Sequence, residues 1–417
     1  MLKTTTKTLA QILKTDYSAD VAIAGVCTDS RKPMDGALFL ALVGDNFDAH
    51  DYINEAEKNG AAALVVSKKV ASKLPTLLVQ NTQNALVEIS KYHLQNINPK
   101  VVAITGSNGK TTTKNMLKNI LNLKAPTLAT RGNLNNHLGV PLTLLELQKK
   151  HRFAVIEMGA NHLGEIAYLR AIAVPAVAVV VNAMDAHIGE FGGFANLLKA
   201  KGEIYAPNSI NIVNTITEFE GDISFGSGGD IFASNVDNNK FTLNIGAEKI
   251  KVTLQLLGRH NIDNALAASA CAYALGVDIR TISQGLQNTS AEPGRLNLVR
   301  KNNLTIIDDS YNASPSSMQA AIATLQNFQG EKIAVLGDMA ELGADSKKFH
   351  QQIGKLAQNA TDKLYTYGEL AQHYGGIHFD DLEQLSAQIL SKNQGSTILI
   401  KGSRMAKLDE LAQLLQK

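Results

Sequence analysis

Residues 1 to about 98 alternate short apolar runs, "GALFLALVG" and "AAALVVS", with stretches of helical periodicity. They close on "QNINPK", a polar, proline-containing break that reads as a domain boundary. From Val101 the pattern changes: "VVAIT", "FAVIEMG" and "AVAVVVNA" are continuous apolar runs, as expected for strands of a parallel sheet buried on both faces, with helical segments between them. After "AEPGRLN" a third series begins with "LTIIDDS", "KIAVLGDM", "KLYTYG" and "TILIKGS", each followed by an amphipathic stretch such as "MQAAIATLQNF" or "DELAQLLQK". Ahead of the helix at "NIDNALAASACAYALG", the segment "NVDNNKFTLNIGAEKIKVTLQLLG" alternates like antiparallel strands. The prediction is an α/β protein of three domains, over 1–98, 99–294 and 295–417, the second built on a parallel sheet and the third Rossmann-like.

Composition agrees. A chain of 417 residues is too long for one core and fits about three domains at roughly 150 residues each. Lys plus Arg number 40 against 38 for Asp plus Glu, so no global field draws the chain to nucleic acid or anionic lipid, and small molecules are the expected partners. The two cysteines, Cys27 and Cys271, form no zinc or disulfide pattern. The N-terminus lacks a signal-like apolar core, and no run reaches the ~18 apolar residues of a bilayer span. A soluble, cytoplasmic protein is expected.

The most specific chemistry lies in "VVAITGSNGKTTTK". The full GxxxxGK[ST] pattern would need glycine at 104, where Ile104 stands, so only the shorter TGxxGKT form is present. The physical logic holds: Gly106 and Gly109 let the backbone N–H groups of the Ser107–Asn108 turn converge on phosphate oxygens, and the following helix adds its positive end. Lys110 supplies a point charge, and Thr111 or Thr112 is placed to bind Mg²⁺.

Other strand ends leave two readings each. Glu157 in "AVIEMGA" is either a carboxylate beside a phosphate-bound cation or a solvated strand end. His187 in "NAMDAHIGEFG" is a second metal ligand or a structural histidine. Lys199, Lys201 and Glu203 in "KAKGEIY" read as a solvated helical face, and nothing in the pattern singles out Lys201. Asn261 and Asn264 share a helical face that suits a purine edge, unless Asn261 caps the helix. Asp308 and Asp309 suit a ribose or an amine, or else act as caps. Lys401 and Arg404 in "ILIKGSR" form a carboxylate clamp or a surface turn.

Taken together, "TDSRKPMDGALFLALVGDNFDAHDYINEA", "TGSNGKTTTK", "GNLNNHLGVPLTLL", "EMGA", "NAMDAHIGEFG", "KAKGEIY", "GRHNIDNALAA", "EPGRLN", "DDSYNASPSSM", "LGDMAELG" and "IKGSR" resemble the Mur ligase family over nearly the whole chain. Ala49 replaces a usual glycine, and Ser314 replaces the usual asparagine of the YNANP pattern.

The resemblance implies a P-loop ATPase central domain and an ATP-dependent amide ligase. Such an enzyme joins D-alanyl-D-alanine to UDP-N-acetylmuramoyl-tripeptide through an acyl phosphate, as a monomer without nucleic-acid or membrane partners. It implies Ser30, Arg31, Asp48 and His50 at the uridine nucleotide, and Lys110 and Thr111 at ATP phosphate and Mg²⁺. Asn136 and Glu157 fall near the metals, with His187 as a metal ligand. Asn261 and Asn264 fall at adenine, Arg295 and Asp309 on ATP, and Lys401, Ser403 and Arg404 near the dipeptide. Lys201 falls on the family's carbamylated lysine, whose carbamate would bind Mg²⁺. The rivals are a family member adding a different amino acid and a nucleotide switch without ligase chemistry. The third-domain motifs argue against the first, and acceptor-dependent phosphate release would exclude the second.

Overall fold

The computed structural model describes residues 2–416 apart from 185–187, 302 and 393–394. The chain divides into two compact units, one of residues up to Ala103 with Ala125–Gly159 and Ala167–Ala176, the other of Ile104–Lys124, Ala160–Ile166 and Val177 onward.

The first unit begins with α1 (Thr6–Leu13), β1 (Val26–Cys27), β2 (Leu38–Leu40), the antiparallel hairpin β3 (Val43–Gly44) and β4 (Phe47–Asp48), and α2 (Ile53–Lys58). It continues with β5 (Ala63–Val66), β6 (Thr76–Leu78) and α3 (Thr82–Ile97). Strands β1, β2, β5 and β6 form a parallel sheet in that order. Because side chains alternate along a strand, Leu38, Leu40 and Val65 pack with Leu9, Leu86 and Ile89 of α1 and α3, whereas Phe39, Leu64 and Val66 pack with Ile53 and Ala56 of α2. The break at "QNINPK" is where α3 ends, with Asn98 in the left-handed conformation that closes a helix.

Next come β7 (Lys100–Thr105), α4 (Lys110–Asn122), β8 (Thr127–Ala129), α5 (Gly139–Leu145), β9 (Phe153–Glu157) and α6 (Glu165–Ile172). In the first unit β8 pairs in parallel with β9, Thr127 opposite Phe153.

The second unit continues with β10 (Val177–Val180), α7 (Phe194–Gly202), β11 (Ile210–Asn214), β12 (Ile223–Phe225), β13 (Ile231–Asp237), β14 (Lys240–Ile245), β15 (Glu248–Thr253), α8 (His260–Ala274) and α9 (Ile279–Gln287). Pairing is parallel from β10 to β13 and antiparallel from β13 to β15, so the alternating segment forms the antiparallel strands its pattern predicts. Helices α8 and α9 pack against α4.

The last stretch holds β16 (Asn297–Lys301), β17 (Leu304–Asp309), α10 (Pro315–Gln326), β18 (Lys332–Gly337), α11 (Ser346–Ala360), β19 (Lys363–Tyr367), β20 (Ile377–Phe379), α12 (Leu382–Lys392), β21 (Thr397–Lys401) and α13 (Leu408–Leu414). The sheet order is β16-β17-β21-β18-β19-β20, parallel except for β16 with β17. Both faces are covered. Ile307, Ala334, Leu336 and Leu399 meet α10 and α11, and Ile306, Ile333, Val335, Ile398 and Ile400 meet α12 and α13. That double burial is why these strands read as unbroken apolar runs. Among the described residues no helix is long and apolar enough to cross a membrane.

Candidate functional site

The loop between β7 and α4 is shaped by its glycines. Gly109 has φ of 77°, and a Cβ there would lie 2.1 Å from Asn264 Oδ1, so conformation and space both demand glycine. As the residue preceding α4 it offers no side-chain cap, leaving the first helical N–H groups without that partner. Ser107 Oγ donates to Met184 O and accepts from Met184 N, both at 2.9 Å. The Asn108 N–H donates to Asn182 Oδ1 at 2.9 Å. Lys110 Nζ donates to the carbonyls of Gly106 at 2.7 Å and Ser107 at 3.1 Å. Thr111 is buried and Thr112 half-buried.

Behind the loop, Asn264 Nδ2 donates to Asn261 Oδ1 at 2.9 Å, Asn261 Nδ2 donates to Leu257 O at 2.6 Å, and Thr113 Oγ1 donates to Asn264 Oδ1 at 3.5 Å. The residue capping α8 is Arg259, so Asn261 is not the cap that its position suggested. The buried amide pair braces α8 against α4.

Glu157 closes β9 at 2% exposure, which overturns the solvated alternative. Its Oε1 accepts from Asn135 Nδ2 at 2.8 Å. Asn136 has turned to the start of α5, its Oδ1 accepting from Gly139 N at 2.9 Å. The amide on Glu157 therefore belongs to the neighbour that sequence reasoning passed over, and the doubled asparagine of "GNLNNHLG" was the only signal for it. His187 lies outside the described residues.

Lys201 also departs from the solvated reading, because it is 1% exposed on α7 while Lys199 is exposed. Its Nζ lies 5.2 Å from the Phe191 ring centroid. Burial, helped by the charge of Lys110, pulls its pKa down to about 7 against the opposing pull of Glu165 and Glu203. The same burial favours the neutral amine over the ammonium.

On the third sheet, register sets the chemistry. Asp309 and Lys401 are partners across β17 and β21, and Lys401 Nζ donates to Asp309 Oδ2 at 2.6 Å and to Asn312 O at 2.8 Å. Asp309 Oδ1 accepts from Leu296 N at 3.1 Å. Asp308 takes the Ser310 hydroxyl at 2.6 Å. Neither acid caps α10, whose cap is Ser314 in a reciprocal pair with Ser317. The Arg295 guanidinium lies 4.0 Å from the Tyr311 ring centroid. Among the described residues Ser403 Oγ is buried with no hydrogen-bond partner. Arg404 is exposed and meets Asp409 at 3.2 Å. The "IKGSR" segment is thus no simple surface turn, with Lys401 paired to Asp309 and Arg404 to Asp409.

In the first unit Ser30 Oγ donates to Glu55 Oε2 at 2.5 Å, and exposed Arg31 pairs with Asp29 at 2.8 Å. Asp48 accepts from Lys68 Nζ at 2.7 Å and from the His50 N–H at 2.9 Å, contacts that hold its carboxyl well below the usual carboxylate range. Buried His50 bonds Asp48 Oδ1 through Nδ1 at 2.5 Å and accepts from Ser67 N through Nε2 at 2.9 Å. Beside it the exposed rings of Phe47 and Tyr52 stack, their centroids 5.4 Å apart.

Three family models match in succession: the Mur ligase family catalytic domain over residues 22–118, the Mur ligase middle domain over 104–272, and the Mur ligase glutamate ligase domain over 294–404. An Escherichia coli K12 protein named UDP-N-acetylmuramoyl-tripeptide–D-alanyl-D-alanine ligase is 39% identical, across 100% of this chain and 99% of its own. The crystal structure of MurF from Acinetobacter baumannii superposes with a TM-score of 0.94 at 38% identity, covering 100% of both chains. MurF ligase from Thermotoga maritima, solved in complex with ADP, gives 0.86 at 30% identity, covering 94% of this chain and 96% of its own. The three-domain α/β fold expected from the sequence, with a central P-loop parallel-sheet domain and a Rossmann-like C-terminal domain, is the fold of these structures.

Proposed function

This chain belongs to the Mur ligase family, and from that premise we propose that it adds D-alanyl-D-alanine to UDP-N-acetylmuramoyl-tripeptide at the expense of ATP, giving the pentapeptide precursor of peptidoglycan, ADP and phosphate. The observation that carries this reading is full-length similarity to ligases of that name, joined to a glycine-turned loop that sets Lys110 at the start of α4.

In the proposed reaction ATP phosphorylates the tripeptide carboxylate, the dipeptide amine attacks the acyl phosphate, and the tetrahedral intermediate expels phosphate. Lys110 and the α4 N-terminus, with Gly106, Ser107, Asn108, Gly109 and Thr112 around them, offset charge on the moving phosphoryl group. Asn261 and Asn264 are assigned to the adenine side, Arg295 and Asp309 to the rest of ATP. Ser30, Arg31, Asp48 and His50 are assigned to the uridine nucleotide, and Lys401, Ser403 and Arg404 to the dipeptide. Holding the acyl phosphate beside the amine and away from water supplies much of the remaining gain.

Among the described residues no cluster of three acidic, histidine or cysteine side chains forms a metal cage. Mg²⁺ does not need one, since it keeps waters and substrate phosphates and takes one or two protein oxygens. Glu157 and Thr111 are each buried, and the family resemblance assigns the ion to them, to Asn136, to His187 and to Lys201 as a carbamate. When bound, the ion would neutralise phosphate charge. The lowered pKa of Lys201 supports the carbamate, because only a neutral amine takes up CO₂.

The proposed division is 1–98 for the UDP precursor, 99–294 for ATP, and 295–417 for the dipeptide and part of ATP, in a cytoplasmic monomer without nucleic-acid or membrane partners. The test is purified protein with all three substrates. One pentapeptide and one phosphate should form per ADP, and phosphate release at full rate without dipeptide would reject the ligase reading in favour of a nucleotide switch.

A further inference from the structure

One side chain of the phosphate loop reaches across the sequence to the helix that follows β17. The Asn108 backbone is fixed to Asn182 in both directions, its N–H donating to Asn182 Oδ1 at 2.9 Å and its carbonyl accepting from Asn182 Nδ2 at 3.1 Å. The Asn108 side chain runs elsewhere. Its Nδ2 donates to Ser316 Oγ at 3.0 Å, and its Oδ1 accepts from Ser314 Oγ at 3.4 Å. Both serines belong to the start of α10, and the reciprocal cap there is made by Ser314 with Ser317. The Ser316 hydroxyl takes no part in that cap, so its contact with Asn108 is separable from the stability of α10.

A glycine-rich loop has many backbone states, and ordering it costs entropy whenever it grips a phosphate. An amide held at both ends fixes the orientation of residue 108, one residue before the Gly109 turn and two before Lys110. We propose that Ser316 is a positioning residue for the nucleotide half of the reaction. Through the Asn108 amide it sets the shape of the phosphate loop, making the grip on nucleotide phosphates depend on the seating of α10. This rests on the phosphate-binding assignment made above, and it adds a residue to which that assignment gives no role.

The test uses the full-length enzyme. Ser316→Ala removes one neutral hydrogen bond and should raise the KM for ATP about three- to tenfold. The KM for D-alanyl-D-alanine and the melting temperature should stay at wild-type values. Ser316→Thr keeps the hydroxyl and should bring the ATP KM back towards wild type. Calorimetric titration of ATP into both variants gives the same comparison without turnover, so it stays decisive even if the chain proves not to be a ligase. An unchanged ATP affinity in Ser316→Ala, an equal rise in both KM values, or a threonine variant as impaired as the alanine one would overturn the proposal.

Discussion

Lys110 and Lys401 both stand at the carboxyl side of an apolar strand, yet their surroundings differ. Lys401 is held by the register of β17 and β21 against Asp309, with its side chain 3% exposed. Lys110 is folded onto two carbonyls of its own loop at the start of a helix. A hydrogen bond to a carbonyl is worth about 0.5 to 1.5 kcal/mol net and is readily exchanged for one to a phosphate. Drawing Lys401 away would strand a largely buried carboxylate, at about 3 to 5 kcal/mol. Place in the fold therefore does not determine the role of a strand-end cation; its partner does. We expect Lys110 to change partners when a phosphate arrives, and Lys401 to serve the dipeptide side mainly by holding Asp309 in place, with exposed Arg404 as the candidate for the incoming carboxylate.

The largest effect that would break this contrast concerns Lys110. Lys110→Ala should cut ligation by at least about a hundredfold while circular dichroism and the melting temperature stay near wild type; near-normal turnover would remove the phosphate loop from the reaction. Lys201→Ala should likewise be inactive but partly rescued by a small carboxylic acid, and full activity without the additive would refute the carbamate. For Lys401 the contrast predicts a stability phenotype, with Lys401→Ala lowering unfolding free energy by about 3 to 5 kcal/mol and added Asp309→Asn recovering part of it. Denaturant titration of both variants checks this, and a fully stable Lys401→Ala would show the pair to be dispensable. Arg404→Ala should be smaller and purely kinetic. Losing a charge-assisted contact of about 1.5 to 3 kcal/mol raises the KM for the dipeptide roughly ten- to a hundredfold, far more than that for ATP, and equal effects on both would count against the assignment.

Much of this was legible in the sequence where local physics dominates. Strands buried on both faces appear as unbroken apolar runs, the antiparallel insertion shows period-two alternation, and a glycine turn running into Lys110 at a helix start suits a phosphate better than any packing role. What stayed hidden depends on tertiary neighbours. Lys199 and Lys201 look alike in "KAKGEIY", and only the packing of α7 buries the second. Asn135 and Asn136 are adjacent, and the need of α5 for an acceptor decides which amide reaches Glu157. The pairing of Lys401 with Asp309 follows from strand order, and the contact of Asn108 with Ser316 spans 208 residues. No periodicity encodes either.

The central claim is that the phosphoryl group passes to the tripeptide carboxylate before the amine attacks. It is tested most directly with tripeptide precursor carrying ¹⁸O in its terminal carboxylate. One turnover through an acyl phosphate leaves one labelled oxygen in each phosphate released, and mass spectrometry should find it in step with pentapeptide formed; pentapeptide accompanied by unlabelled phosphate would contradict the account.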